Sequence, residues 1–252
     1  MATDLNDQAA KSKPGSSLLM LVVATVLPSI VTWIYFSLLS DHDPKFQQTA
    51  YSIGKAIQFL LPLFAVFILN RELWTRGENE IKANTRVWWI SGIVFGCLVA
   101  VAMFAIYFLL LSETAVGQRL VGAVRDKVAG MGLNSLTKFA ALGIFYALVH
   151  SFLEEYYWRW FVFRYLKRHT SSLVANIISS LGFMAHHVLL LGFFIGWNEP
   201  LTYVFSLAIA VGGFVWAWIY EHTGSLLIPW ISHMIVDAGI FALGYFLIRD
   251  IF

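Results

Sequence analysis

Glu154 and Glu155 stand side by side in the apolar stretch Val149-His150-Ser151-Phe152-Leu153-Glu154-Glu155-Tyr156-Tyr157-Trp158-Arg159. The stretch reads as helix well inside a membrane span. There each ionisable group costs roughly 2.5–3.5 kcal/mol on insertion scales, so a functional reading is the default. At about 100° per residue, Glu155 and Arg159 share one stripe of that helix, and His150, Glu154 and Trp158 share a second. Arg159 can therefore neutralise Glu155 and leave Glu154 for chemistry. His150 either takes part directly or only bonds Glu154 or a carbonyl.

Two further stretches bring polar groups to similar depth: Phe183-Met184-Ala185-His186-His187 and His233-Met234-Ile235-Val236-Asp237. At 1.5 Å per residue, Glu154 lies roughly 15 Å from Arg164, where its span ends. On the same scale His187 is roughly 22 Å in from Ser172, and His233 and Asp237 are roughly 12 and 18 Å in from Ser225. These three span ends share one membrane face if Leu201–Tyr220 crosses once. His233 and Asp237 lie on one helix face, as do Phe183 and His187. His186 points about 100° away from His187, so one of the two faces the site, and His187 is the favoured one. Peptide hydrolysis requires a base for water, a donor for the oxyanion and an acid for the leaving amine, and Glu154, His187, His233 and Asp237 could supply them. The same four groups would also serve as ligands for zinc or another divalent metal. There is no serine elbow and no His-Glu-x-x-His. Cys97 has no His or acid within a turn or two, and reads as a small buried hydrophobe rather than a nucleophile.

The elements that must position these groups follow from composition. With 59% hydrophobic and 13% charged residues, the 252-residue chain reads as an all-α, polytopic membrane bundle of about seven to eight transmembrane helices. Residues 1–17 form a polar, flexible tail, and 18–252 a single membrane domain with its motif-bearing core at about 139–248. The expected spans are Leu18–Leu39, Tyr51–Asn70, Val87–Leu111, Phe139–Phe163, Ser172–Ile195, Leu201–Tyr220 and Ser225–Ile248. Arg71–Arg86 is a charged loop. Between Glu113 and Lys138, Val116, Leu120, Val124 and Val128 recur every fourth residue, an amphipathic helix that lies at the interface or packs on its own bundle. The basic residues form no stripe, which argues against nucleic acid, and their bias over the loops favours a cytoplasmic N-terminus.

Glu-Glu-x-x-x-Arg at 154–159, Phe-x-x-x-His at 183–187 and His-x-x-x-Asp at 233–237, in that order on separate spans, resemble one family. It is the CAAX protease and bacteriocin-processing (CPBP, or Abi) family of glutamate-dependent intramembrane endopeptidases, which includes the type II CAAX prenyl endopeptidases. The resemblance implies a hydrolase embedded in a bacterial or archaeal plasma membrane. Its partners would be the bilayer and a peptide or protein substrate that is lipid-modified or carries a membrane-embedded tail, and it would need no cofactor. By the same resemblance Glu154 activates a water, His187 positions or deprotonates it, and His233 and Asp237 stabilise the oxyanion, with Glu155, Arg159, Phe183 and His150 in support. Where this chain has Asp237, many members have Asn. An ionised Asp cannot donate to an oxyanion. The physical alternative is that Asp237 accepts a bond from His233 and holds that ring as the electrophile. A proton-coupled transporter or a non-catalytic scaffold or immunity protein would be the other uses of such a bundle.

Overall fold

Asp43 ends the first inter-span turn by accepting hydrogen bonds from the amides of Lys45 and Phe46, which starts the second helix at Pro44. That is seven residues before the expected Tyr51, because the polar run Pro44–Ala50 continues the helix beyond the apolar window. The computed structural model describes residues 14–69 and 85–252. Among them no strand occurs, and seven helices are long and apolar enough to cross a membrane. These spans are Leu19–Leu38, Pro44–Phe67, Arg86–Leu111, Leu136–Leu166, Ser172–Phe194, Pro200–Thr223 and Leu227–Ile251. Residues 1–13 of the expected tail, Asn70 at the end of the expected second span and residues 71–84 of the charged loop lie outside the described residues. Pro14–Ser17 already belong to the first helix.

The outward faces of the bundle carry Phe67, Leu98, Leu109 and Leu110, each well over half exposed. Such surface suits hydrocarbon, where helices satisfy their own backbone and apolar side chains need no water-facing partner. Cys97 is exposed on this side rather than buried, since its neighbour Gly96 faces inward instead. The fourth span is the central one: Tyr157, Trp158, Phe161, Val162 and Phe163 are all at most 2% exposed. It is not uniform helix. A π segment, Tyr146–His150, precedes the α turn Ser151–Glu155, and a longer one, Tyr156–Phe163, follows it. Such i→i+5 turns are frequent at functional sites, but π segments also end the first three spans, so they do not mark the site alone.

The other spans close on this centre through small residues, as expected where helices cannot be driven together by water. A Cβ on Gly182 of the fifth span would meet the Trp158 ring at 2.8 Å. One on Gly96 of the third span would stand 2.6 Å from the Ser232 carbonyl oxygen of the seventh. The amphipathic segment is helical over Ala115–Gly130 and packs on the bundle: buried Val128 joins Phe139 and Ile248, Arg125 pairs with Asp250 at 2.9 Å, and Arg119 pairs with Glu199 at 3.1 Å. Lys127 lies over the Tyr35 ring, 4.0 Å from its centroid. Burial there lowers its pKa to about 8.

Gly96→Ala should destabilise the protein by about 1–3 kcal/mol, the usual cost of overpacking a close helix contact. The detergent-solubilised protein should accordingly melt several degrees lower by intrinsic fluorescence. Gly122→Ala, where a Cβ meets nothing within 4 Å, should leave the melting temperature unchanged or raise it.

Candidate active site

Glu154 is 3% exposed and is surrounded by nitrogen. Its Oε1 lies 3.5 Å from His186 Nε2, 3.7 Å from His150 Nε2 and 4.0 Å from Lys55 Nζ, and its Oε2 lies 3.8 Å from His233 Nε2. His150 reaches it from one turn before on the same helix, the stripe that four-residue spacing predicts. The other groups come from the second, fifth and seventh spans. Trp158, the third member of that stripe, turns away and stacks parallel to the His186 ring, with centroids 5.9 Å apart.

Glu155 and Arg159 pair at 3.1 Å, both essentially without exposure. Glu155 does a second job that spacing within one helix cannot reveal. Its Oε1 also lies 2.8 Å from Nδ1 of His233. A carboxylate only accepts, so Nδ1 carries the proton, and His233 Nε2 is aimed at Glu154 and at Asp237 Oδ1, 3.5 Å away. Trp216 of the sixth span stacks on the His233 ring at 4.2 Å and donates its indole N–H to Ser232. Arg159 lies over both Phe183 and Trp216, 4.7 and 5.2 Å from their centroids, and donates to the Gly213 carbonyl. Phe183 is thus a platform for the arginine as well as a neighbour of His187.

The two adjacent histidines both reach the site, which corrects the expectation that one would. His187 Nδ1–H donates to the Phe183 carbonyl at 2.8 Å, while the ring centroids of His186 and His187 lie 4.1 Å apart. Both reach Glu154 despite their 100° separation, each with a ligand atom within 4.8 Å of the carboxylate. His186 is the more buried and makes the closer contact. Glu154, His186 and His187 are the groups that could hold a metal. Ligand atoms at about 2.1 Å around a tetrahedral zinc stand about 3.4 Å apart, so the trio would have to contract. An ammonium 4.0 Å from the same carboxylate also opposes a dication there.

Lys55 and Trp216 are the site neighbours that motif reading missed. For Lys55 the signal was depth, hidden by placing the start of the second span too late; for Trp216 there was none, since a tryptophan in an apolar helix reads as packing. An apolar groove of about 320 Å³ between the fourth and seventh spans ends near the site, with Ala147 one turn from His150 and Ala238 next to Asp237. Arg159→Met should strand a buried Glu155 charge at a cost of about 3–5 kcal/mol. Monodisperse yield on size exclusion should collapse accordingly and recover in part when Glu155→Leu is added.

Residues 136–239 match the family model described as type II CAAX prenyl endopeptidase Rce1-like. No curated protein and no solved structure matches the chain. The matched stretch contains all three motifs and the whole of the Glu154–Glu155–His233 arrangement, so over residues 136–239 the chain is similar to the type II CAAX prenyl endopeptidase Rce1-like family.

Proposed function

We propose that the protein is a CAAX-type intramembrane endopeptidase in which Glu154 activates the hydrolytic water. The observation that carries this reading is the convergence of three imidazoles from three spans on one buried carboxylate, at 3.5, 3.7 and 3.8 Å. Glu154 takes a proton from water as general base. His187 and His186 help to place that water, each offering a ring nitrogen within 4.8 Å of the carboxylate. Glu155 fixes the His233 tautomer, so that Nε2 faces the reacting groups, much as a carboxylate orients histidine in a catalytic triad. Asp237 Oδ1 lies 3.5 Å from that Nε2 and accepts from it when the ring carries a proton on both nitrogens. The substrate is a membrane-associated protein or peptide, and the groove beside Ala147 and Ala238 suits one with an apolar or lipid-modified tail. The N-terminus is assigned to the cytoplasm on the loop-charge bias.

A metallopeptidase is the second reading, supported by the Glu154, His186 and His187 trio. One experiment separates the two. Native protein in proteoliposomes should cleave a prenylated CAAX peptide, with products identified by mass spectrometry, and should do so unchanged after exhaustive chelation. Glu154→Gln should lower kcat by about 10²–10⁴-fold, the span expected for loss of a general base. Chelation that abolishes turnover, with zinc restoring it, would transfer the assignment to a metal mechanism. Cys97→Ala should be as active as native, since the thiol faces outward.

A further inference from the structure

We propose that Lys55 is a catalytic residue: its ammonium donates to the oxyanion formed when a peptide carbonyl is attacked beside Glu154. The proposal rests on the endopeptidase reading and adds to it a residue from outside the matched stretch.

The second helix begins at Pro44, so Lys55 lies about 16 Å along it, near the middle of the bilayer. It is 9% exposed there. Its Nζ stands 4.0 Å from Glu154 Oε1 and over the rings of Tyr51 and Phe59, at 5.6 and 5.5 Å from their centroids. The placement is built by packing. A Cβ on the preceding Gly54 would meet Val31 of the first span at 2.9 Å, so the two helices close tightly at that point. Phe59, one turn on, sets its ring edge-to-face against His150 and Tyr157.

A separation of 4.0 Å exceeds a hydrogen bond. With Glu154 holding the attacking water, the carbonyl oxygen on the carbon that this water attacks falls within reach of an ammonium 4.0 Å from the carboxylate, which is where an oxyanion donor has to stand. The other strongly basic group of the site is already engaged, as is one nitrogen of His233. Arg159 is taken by Glu155 and the Gly213 carbonyl, and His233 Nδ1 by Glu155. Asp237 adds a third carboxylate beside Glu154 and Glu155 rather than a donor. An oxyanion would bring a further negative charge to this group, and Lys55 is the only ammonium among the described ion-pair partners of Glu154. Holding the free carboxyl end of a substrate is a poorer use of it. A terminus two residues past the scissile bond lies about 7 Å away in extended chain, beyond the reach of a group so close to Glu154.

In the step, Glu154 removes a proton from water and the water oxygen bonds to the carbonyl carbon. The π pair moves onto the carbonyl oxygen, which accepts an N–H bond from Lys55. The oxyanion pair then re-forms the carbonyl, the C–N bond breaks with its electrons leaving on nitrogen, and that nitrogen takes the proton held by Glu154. Peptide and water thus give one acid and one amine, and Lys55 keeps its protons throughout.

The test compares native, Lys55→Met and Lys55→Arg proteins in phosphatidylcholine proteoliposomes with a prenylated CAAX peptide. Lys55→Met should lower kcat roughly 10²–10³-fold, as loss of one oxyanion donor does, with KM within about threefold of native. Lys55→Arg should regain part of that loss. A phosphinic peptide resembling the tetrahedral intermediate should lose affinity for Lys55→Met by the factor lost in kcat/KM. An unchanged kcat, or a raised KM with kcat intact, overturns the proposal. If Lys55→Met does not fold, Lys55→Cys in a Cys97→Ala background, alkylated with bromoethylamine after purification, asks the same question. Activity returning with the ammonium supports the role, and none returning overturns it. Native protein without turnover would overturn the endopeptidase reading and this role together, whereas native turnover with an unimpaired Lys55→Met overturns the role alone.

Discussion

In hydrocarbon an ionised carboxylate persists only beside a counter-charge, and the Glu155–Arg159 pair is where this chain meets that demand most completely. Removing two charges from water is expensive, and partners beyond the pair itself offset part of that cost. Here the arginine is stacked between Phe183 and Trp216 and bonded to the Gly213 carbonyl, and the glutamate also accepts from His233. Groups on the fourth, fifth, sixth and seventh spans therefore share one ion pair as their common support. The orientation of His233, and with it the direction of its Nε2, is a by-product of neutralising a buried charge.

The same accounting explains the rest of the site. Glu154, Glu155 and Asp237 are acidic, Arg159 and Lys55 are basic, and the imidazoles lie among them. Arg159 balances Glu155, and Lys55 faces Glu154 at a distance that balances it without quenching it by a direct hydrogen bond. A carboxylate held this way keeps its lone pairs available to water.

Much of this is written in the order and spacing of residues. Four-residue steps place Glu155 beside Arg159 and His150 beside Glu154 because an α turn does so wherever it occurs. Helix rise alone brings Glu154, His187 and His233 to one depth, and the structure sets them in one cluster. What spacing could not convey was contact between helices. The His233–Glu155 bond depends on the rotation of the seventh span, and the stacking of Trp216 on His233 depends on where the sixth lies. The nearness of both His186 and His187 to Glu154 depends on how the fifth span is turned toward the fourth. Lys55 was obscured for a different reason. A hydropathy window ends where polar residues begin, whereas the helix runs on to its cap at Asp43, so a residue near the rim of the window is in fact near mid-span.

The π segments of the fourth span carry a consequence for how this protein can change. An i→i+5 turn holds one residue more than the α turn it replaces. Deleting a residue there would restore ordinary helix and rotate everything on one side by about 100° relative to the other. Loss within Tyr146–His150 would swing Gly143 out of its contact with Phe241, and loss within Tyr156–Phe163 ahead of Arg159 would turn the guanidinium away from Glu155. Individual side chains along this helix can be exchanged within the limits of size and charge, but their number cannot. Its length is conserved by geometry, as strictly as a reading frame.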